Sequence, residues 1–238
     1  MTASQTPAGA RGRRDVVHLL RHGEVENPEG LLYGRRPGCH LSARGRAMAE
    51  LVAEHLADAP IGLVTASSLE RAQETAAPIA AAHNLGVHVD DRVIEAGNHF
   101  EGKRFGHGDG SLTHPANWRL LYNPMRPSWG EPYERIAARM LAAIDSARTA
   151  VHELYDGGEI VIVSHQLPIW TIRRFLEGRR MWHDPRNRQC SLASLTTLTY
   201  VGDRLESIGY SEPAAALLPG AATVPGRERD GDTAVTRW

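Results

Sequence analysis

Arg21-His22, Ser67-x-x-x-Arg71 and Ser164-His165 each directly follow a short run of aliphatic, mostly β-branched residues. If the three stretches meet in space, two guanidiniums and two imidazoles surround one small volume. Such a cluster repels itself unless an anion is present. Phosphate, whose oxygens an arginine binds bidentately, is its natural guest. Taken singly, each residue would read as an ordinary solvated or core group. The combination, at the ends of three strand-like runs, carries the signal.

The elements that must position these groups are legible around them. Val16–Leu20, Ile61–Thr65 and Ile160–Val163 are nearly continuous apolar runs, as expected for parallel strands covered on both faces. Helical patterns separate them. One opens after Ser42, a suitable N-cap, with Met48, Leu51, Val52 and Leu56 at helical spacing. Others run over 69–82 and 133–154, and one over 168–176 starts at Pro168, where a first turn tolerates proline. The segments 192–200 and 204–210, around Val201-Gly202-Asp203, predict an edge hairpin. The expected fold is a three-layer α/β/α sandwich with a mostly parallel central sheet and an antiparallel edge. In such folds, ligands bind where the parallel strands end.

The predicted catalytic domain covers residues 15–211. Residues 1–14 read as a flexible leader and 212–238 as a disordered tail, from their Ala, Gly, Pro and mixed-charge composition. Residues 96–132, rich in glycine and proline with little period, predict a cap over the site.

With 27 Lys and Arg against 28 Asp and Glu, a net charge of -1 gives no basic field for nucleic acid or an anionic membrane. Any anion site must be built locally. No apolar stretch approaches the ~20 residues needed to cross a bilayer, and the first residues lack a secretory apolar region, so a cytoplasmic address is expected. Cys39 and Cys190 are too few for a disulfide framework and lack zinc-site spacing. No metal or other cofactor is expected.

Arg21-His22-Gly23-Glu24, Leu41-Ser42-x-x-Gly45, Ser68-Leu69-x-Arg71-Ala72-x-x-Thr75-Ala76 and Val163-Ser164-His165 together resemble the motifs of the histidine phosphatase superfamily, in order and spacing. The resemblance spans about residues 15–211 and implies the phosphoglycerate mutase-like fold. It also implies a phosphohistidine mechanism with His22 as nucleophile and Arg21, Arg71 and His165 on the phosphoryl oxygens. Arg92-Val93-Ile94-Glu95 resembles the family's acid-bearing stretch, so Glu95 is the candidate proton donor, with Glu24 and Glu101 as competitors. Asn27, Arg35 and Gln166 are candidate substrate contacts, although the family pattern places an asparagine where Pro28 stands and a glycine where Gln166 stands.

The resemblance thus implies a metal-independent phosphomonoesterase acting on a small-molecule phosphate monoester. A phosphoglycerate mutase-type phosphotransferase uses the same residues. A non-catalytic phospho-ligand binding module is the third reading, disfavoured because binding alone needs neither a nucleophile nor an acid.

Overall fold

A computed structural model describes residues 13–103, 130–154, 158–184 and 187–218. In chain order it contains β1 (Arg14–Arg21), α1 (Ala43–His55), β2 (Ile61–Ala66), α2 (Glu70–Ala82), β3 (Val87–Val89), a 3-10 turn (Asp91–Val93), α3 (Tyr133–Leu154), β4 (Glu159–Ser164), α4 (Gln166–Leu176), β5 (Leu195–Val201) and β6 (Arg204–Ser211). The six strands form one sheet in the order β3-β2-β4-β1-β5-β6. The first four are parallel, β5 runs antiparallel to its neighbour β1, and β6 runs antiparallel to β5.

The apolar runs become core strands because both faces are covered. On one face Val17, Leu19, Ile160 and Ile162 pack against Ile136, Met140 and Ile144 of α3 and Ile169 and Ile172 of α4. On the other, Leu20, Val64, Val161 and Val163 meet Met48 and Val52 of α1 and Ala72, Ala76 and Ile79 of α2. The expected three layers and antiparallel edge are present. Ser42 caps α1, its side chain accepting from Gly45 N at 3.0 Å. Helix α4 begins two residues earlier than the proline suggests, so Pro168 stands third in its first turn, where its missing N–H costs nothing.

Away from the strands' C-terminal ends, the sheet is pinned by a buried ion cluster. Asp15, 1% exposed, accepts from Arg148 Nε at 2.9 Å and lies 2.8 Å from His152 Nε2, both on α3, while Arg148 also lies over the Tyr200 ring. Burial pushes the Asp15 carboxyl up, but the hydrogen bonds from His152 and Arg148 and the Arg148 charge outweigh it and hold the carboxyl below its ordinary range.

The chain from 212 to 218, assigned by composition to the tail, instead continues the packing. Glu212 accepts from Ser191 Oγ and Tyr210 Oη at 2.7 Å each, and Ala214 is 1% exposed against the core. Residues 1–12 and 219–238 of the expected leader and tail, and 104–129 of the expected cap, lie outside the described residues. At the ends of that cap segment, Asn98 and Gly130 are bridged. No helix among the described residues is long and apolar enough to cross a membrane.

Candidate active site

The sheet register brings the three charged stretches level. Arg21 pairs with Ser164, and Ala66 with Val163, so β1, β2 and β4 release their chains side by side. His22 N donates to Ser164 O and Ser67 N to Val163 O, carrying the alignment one residue beyond the strands. His22, Arg71 and His165 are all essentially inaccessible, at 2%, 0% and 0% exposure. The His22 and His165 ring centroids are 5.1 Å apart.

The His22 ring is oriented by its own loop. Its Nδ1 lies 2.7 Å from Gly23 O, an acceptor only, so Nδ1 carries the proton and Nε2 keeps a free lone pair. Burial first, then the Arg21 and Arg71 charges, push its pKa well below the ordinary 6.5, which keeps the imidazole neutral. The loop is close-packed against the start of α1: a Cβ on Gly45 would sit 2.0 Å from Glu24 O, and one on Gly23 would sit 2.5 Å from Gly45 O. Two glycines are therefore required where the first loop crosses the helix. Thr75 adds a second tie, its hydroxyl accepting from Gly23 N at 3.1 Å and donating to Arg71 O at 2.7 Å.

The guanidiniums are anchored by one nitrogen each. Arg71 Nη2 donates to Gly34 O at 2.6 Å, and Arg21 Nη1 to Cys190 O at 2.7 Å. Arg71 lies over the Tyr33 ring, 4.8 Å from its centroid, and that ring in turn meets His22 edge-on at 6.2 Å. Arg71 Nε and Nη1, Arg21 Nε and His165 Nδ1 are buried and have no hydrogen-bond partner among the described residues. Native proteins seldom leave buried donors unmade, because each costs about 1–3 kcal/mol. Here four such atoms belong to the three side chains that surround the His22 ring. They are the donors an oxyanion would satisfy.

His165 is fixed from behind. Ser67 Oγ lies 2.7 Å from its Nε2, and burial, His22 and both arginines hold its pKa well below 6.5. Ser67, fully buried and directly after β2, enters the sequence reading only as the start of the stretch that leads to Arg71, with no role of its own.

Glu95 reaches the site through a chain of backbone restraints. Ser164 Oγ donates to Val93 O at 2.6 Å, Arg139 Nη1 to Arg92 O at 2.6 Å and Arg35 Nε to Glu95 O at 2.6 Å. Its Oε1 accepts from Ala96 N at 2.8 Å. Burial pushes the Glu95 pKa above its ordinary 4.5 against the pull of Ala96 N–H, Arg71, Arg188 and Arg21. Of its competitors, Glu24 accepts from Ser42 Oγ at 2.6 Å and pairs with Arg44 at 3.1 Å, which commits it to the α1 cap. Glu101 packs against Gly34 and accepts weakly from Asn98 N at 3.3 Å.

The three candidate substrate contacts are all engaged. The Asn27 amide closes its own loop through Leu31 N and O at 3.0 and 2.9 Å. Arg35 spans Glu95 O and Glu131 Oε2, the latter at 2.9 Å. Gln166 Nε2 makes a long 3.4 Å contact to Cys190 O, while its Oε1 accepts from Arg188 Nη1 at 3.3 Å. Arg188 was not anticipated. It lies in an aperiodic stretch after α4, and only the fold brings it near Gln166 and Glu95.

Comparison with known proteins follows the same lines. The family model described as the histidine phosphatase superfamily (branch 1) matches residues 17–212. Uncharacterized protein Rv0525 of Mycobacterium tuberculosis is 59% identical over 199 residues, covering 84% of this chain and 96% of that protein. Probable phosphoglycerate mutase GpmB of Escherichia coli is 30% identical over 184 residues, 74% of this chain and 82% of that one. The solved structure of mycobacterial glucosyl-3-phosphoglycerate phosphatase Rv2419c superposes with a TM-score of 0.65 over 82% of this chain and 98% of that one; at 24% identity the likeness concerns the fold.

Proposed function

The chain belongs to the histidine phosphatase superfamily, branch 1, and we propose that within it this protein is a phosphomonoesterase that hydrolyses a small phosphorylated metabolite through a phosphohistidine on His22. The observation that carries the reading is the set of four partnerless buried donors beside a neutral imidazole whose Nε2 is free. A phosphoryl group seated beside them supplies the acceptors they lack.

In the first step His22 Nε2 attacks phosphorus, a P–N bond forms and the P–O bond to the alcohol breaks. Arg21, Arg71 and His165 Nδ1 donate to the non-bridging oxygens, holding charge that spreads over them. Glu95 delivers its proton to the leaving oxygen; the burial that raises its pKa keeps that proton available. In the second step the Glu95 carboxylate takes a proton from water as the oxygen attacks phosphorus. The P–N bond breaks, returning neutral His22 and inorganic phosphate. The groups of this chain suffice for both steps, with no metal.

Quenching during turnover of an aryl phosphate tests the reading. The expected result is an acid-labile, base-stable phosphoryl group on His22, lost together with activity in His22→Ala. Label persisting in that variant, or no label at any time, refutes it. The relationship to GpmB, named a probable phosphoglycerate mutase, supports the rival reading of transfer to a second acceptor. Chasing the labelled protein with phosphoglycerate separates the two: a hydrolase returns its label as inorganic phosphate, a mutase as bisphosphoglycerate.

A further inference from the structure

Arg188 brings a further guanidinium, beside those of Arg21 and Arg71, to the edge of this site, and the mechanism does not use it. Its Nε donates to His183 Nε2 at 2.8 Å, and its Nη1 to Gln166 Oε1 at 3.3 Å. The acceptor nitrogen of His183 is fixed, because His183 Nδ1 lies 2.6 Å from Met181 O, which can only accept. His183 is itself held between aromatic rings, 5.8 Å from Tyr133 and 5.9 Å from Trp170, centroid to centroid. Gln166 Nε2 contacts the same Cys190 carbonyl that anchors Arg21. Arg21 and Arg188 are therefore tied to one frame, and Glu95 feels both charges.

This is a costly way to place a charge. The guanidinium is largely desolvated, no described carboxylate lies within ion-pairing distance of it, and its two bonds go to neutral acceptors. Its Nη2 bonds to no described residue. An arginine held in place by two neutral acceptors, half-buried, with one nitrogen open and no described carboxylate in ion-pairing distance, is suited to meet an anion. The cradle of Arg21, Arg71 and His165 already accounts for a phosphoryl group, so a different negative group is needed.

Resting on the phosphatase reading above, we propose that Arg188, positioned by His183 and Gln166, forms an accessory subsite for a second acidic group of the substrate, a carboxylate or a second phosphate, beside the phosphoryl cradle. Gln166 then acts through Arg188 as a positioning residue. The substrate class narrows to phosphate monoesters of small acids or bisphosphates.

The test compares wild type with Arg188→Ala and Arg188→Lys on matched substrates: phosphoglycolate against ethyl phosphate, glycerol bisphosphate against glycerol 3-phosphate, and an aryl phosphate as control. Losing one charge-assisted hydrogen bond predicts a fall in kcat/KM of about tenfold or more for the doubly acidic substrates, carried by KM. The singly acidic and aryl substrates should change by less than about twofold. Which of the acidic pairs responds tells carboxylate from phosphate. Arg188→Lys should recover only part of the loss, because a lysine cannot reproduce the fork between His183 and Gln166. Equal losses on all substrates, with a displaced alkaline limb in the pH profile, would mean that Arg188 only tunes Glu95 and would overturn the subsite. Failure of wild type to turn over even the aryl phosphate would instead overturn the phosphatase reading.

Discussion

Replacing Ser67 by alanine isolates the part of the cradle that depends on a tautomer. His165 Nδ1 is buried and partnerless, and it can donate to a phosphoryl oxygen only if it carries the ring proton. Nε2 must then accept, and the sole described group in reach is the Ser67 hydroxyl at 2.7 Å. The low pKa of His165 rules out the easy alternative of a doubly protonated ring. Ser67→Ala should leave the backbone in place, because Ser67 N still donates to Val163 O, and Gln73 Nε2 still donates to Ser67 O at 2.6 Å.

The lost hydrogen bond is worth about 1 kcal/mol net, and with it goes the bias toward the productive tautomer. At 1.36 kcal/mol per decade the expected fall in kcat/KM is about fivefold. Removing the donor altogether in His165→Ala should cost about 10²–10³. Steady-state rates on an aryl phosphate, thermal midpoints and nitrogen NMR of the His165 ring measure the three consequences. A loss in Ser67→Ala equal to that in His165→Ala would place Ser67 on the substrate rather than behind the imidazole. An unchanged rate with an unchanged ring spectrum would show that the tautomer needs no help.

Arg71→Ala removes two of the four unmet donors and should lower activity by about 10² or more while a cooperative thermal transition remains; loss of the transition itself would make Arg71 structural. In wild type, an alkyl phosphate with a poor leaving group should react more slowly as pH rises through the raised Glu95 pKa, above 4.5, and this limb should vanish in Glu95→Gln, where an aryl phosphate suffers much less. Asp15→Asn should cost about 3 kcal/mol by stranding Arg148, read as a lower thermal midpoint with kcat kept. The Asp15 pKa is lowered by folding, so its contribution is in place above its ordinary 3.8 and fades as pH falls through the folded value; the variant should lack that acid sensitivity.

The strands and helices that carry the site were legible because they are continuous: β1, β2 and β4 are apolar runs buried on both faces, and α3 runs over the residues its periodicity marks. Arg21, His22 and His165 could be singled out because they stand at or just beyond the ends of such runs, Arg71 because it lies at the start of the helix after β2, and Glu95 only through the family resemblance. The role of Ser67 and the involvement of Arg188 were not legible. Ser67 looks like any loop serine until β2 and β4 lie side by side, and Arg188 depends on His183 and Gln166, which no local pattern connects to it. The chain over 212–218 misleads for a related reason: its composition is that of a tail, and only the neighbouring Ser191 and Tyr210 make Glu212 a point of attachment. Long-range partners decide these positions, and composition does not record them.

The motif itself looks different once these partners are known. Only part of it faces the cradle. Gly23 and Gly45 let two loops touch, Thr75 ties the His22 loop to α2, Ser42 caps α1 while donating to Glu24, and Ser164 fixes the turn that leads to Glu95. One physical cause then sets the protonation of both reacting groups. Burial disfavours charge, so it lowers the pKa of His22 and raises that of Glu95, shifting each toward its neutral form. Before substrate arrives, the charge in the pocket resides mainly on its guanidiniums. On the proposed reading, a phosphate monoester would bring the opposite charge to the place where those donors are unmet, so that the same desolvation that burdens the empty fold would favour the loaded one.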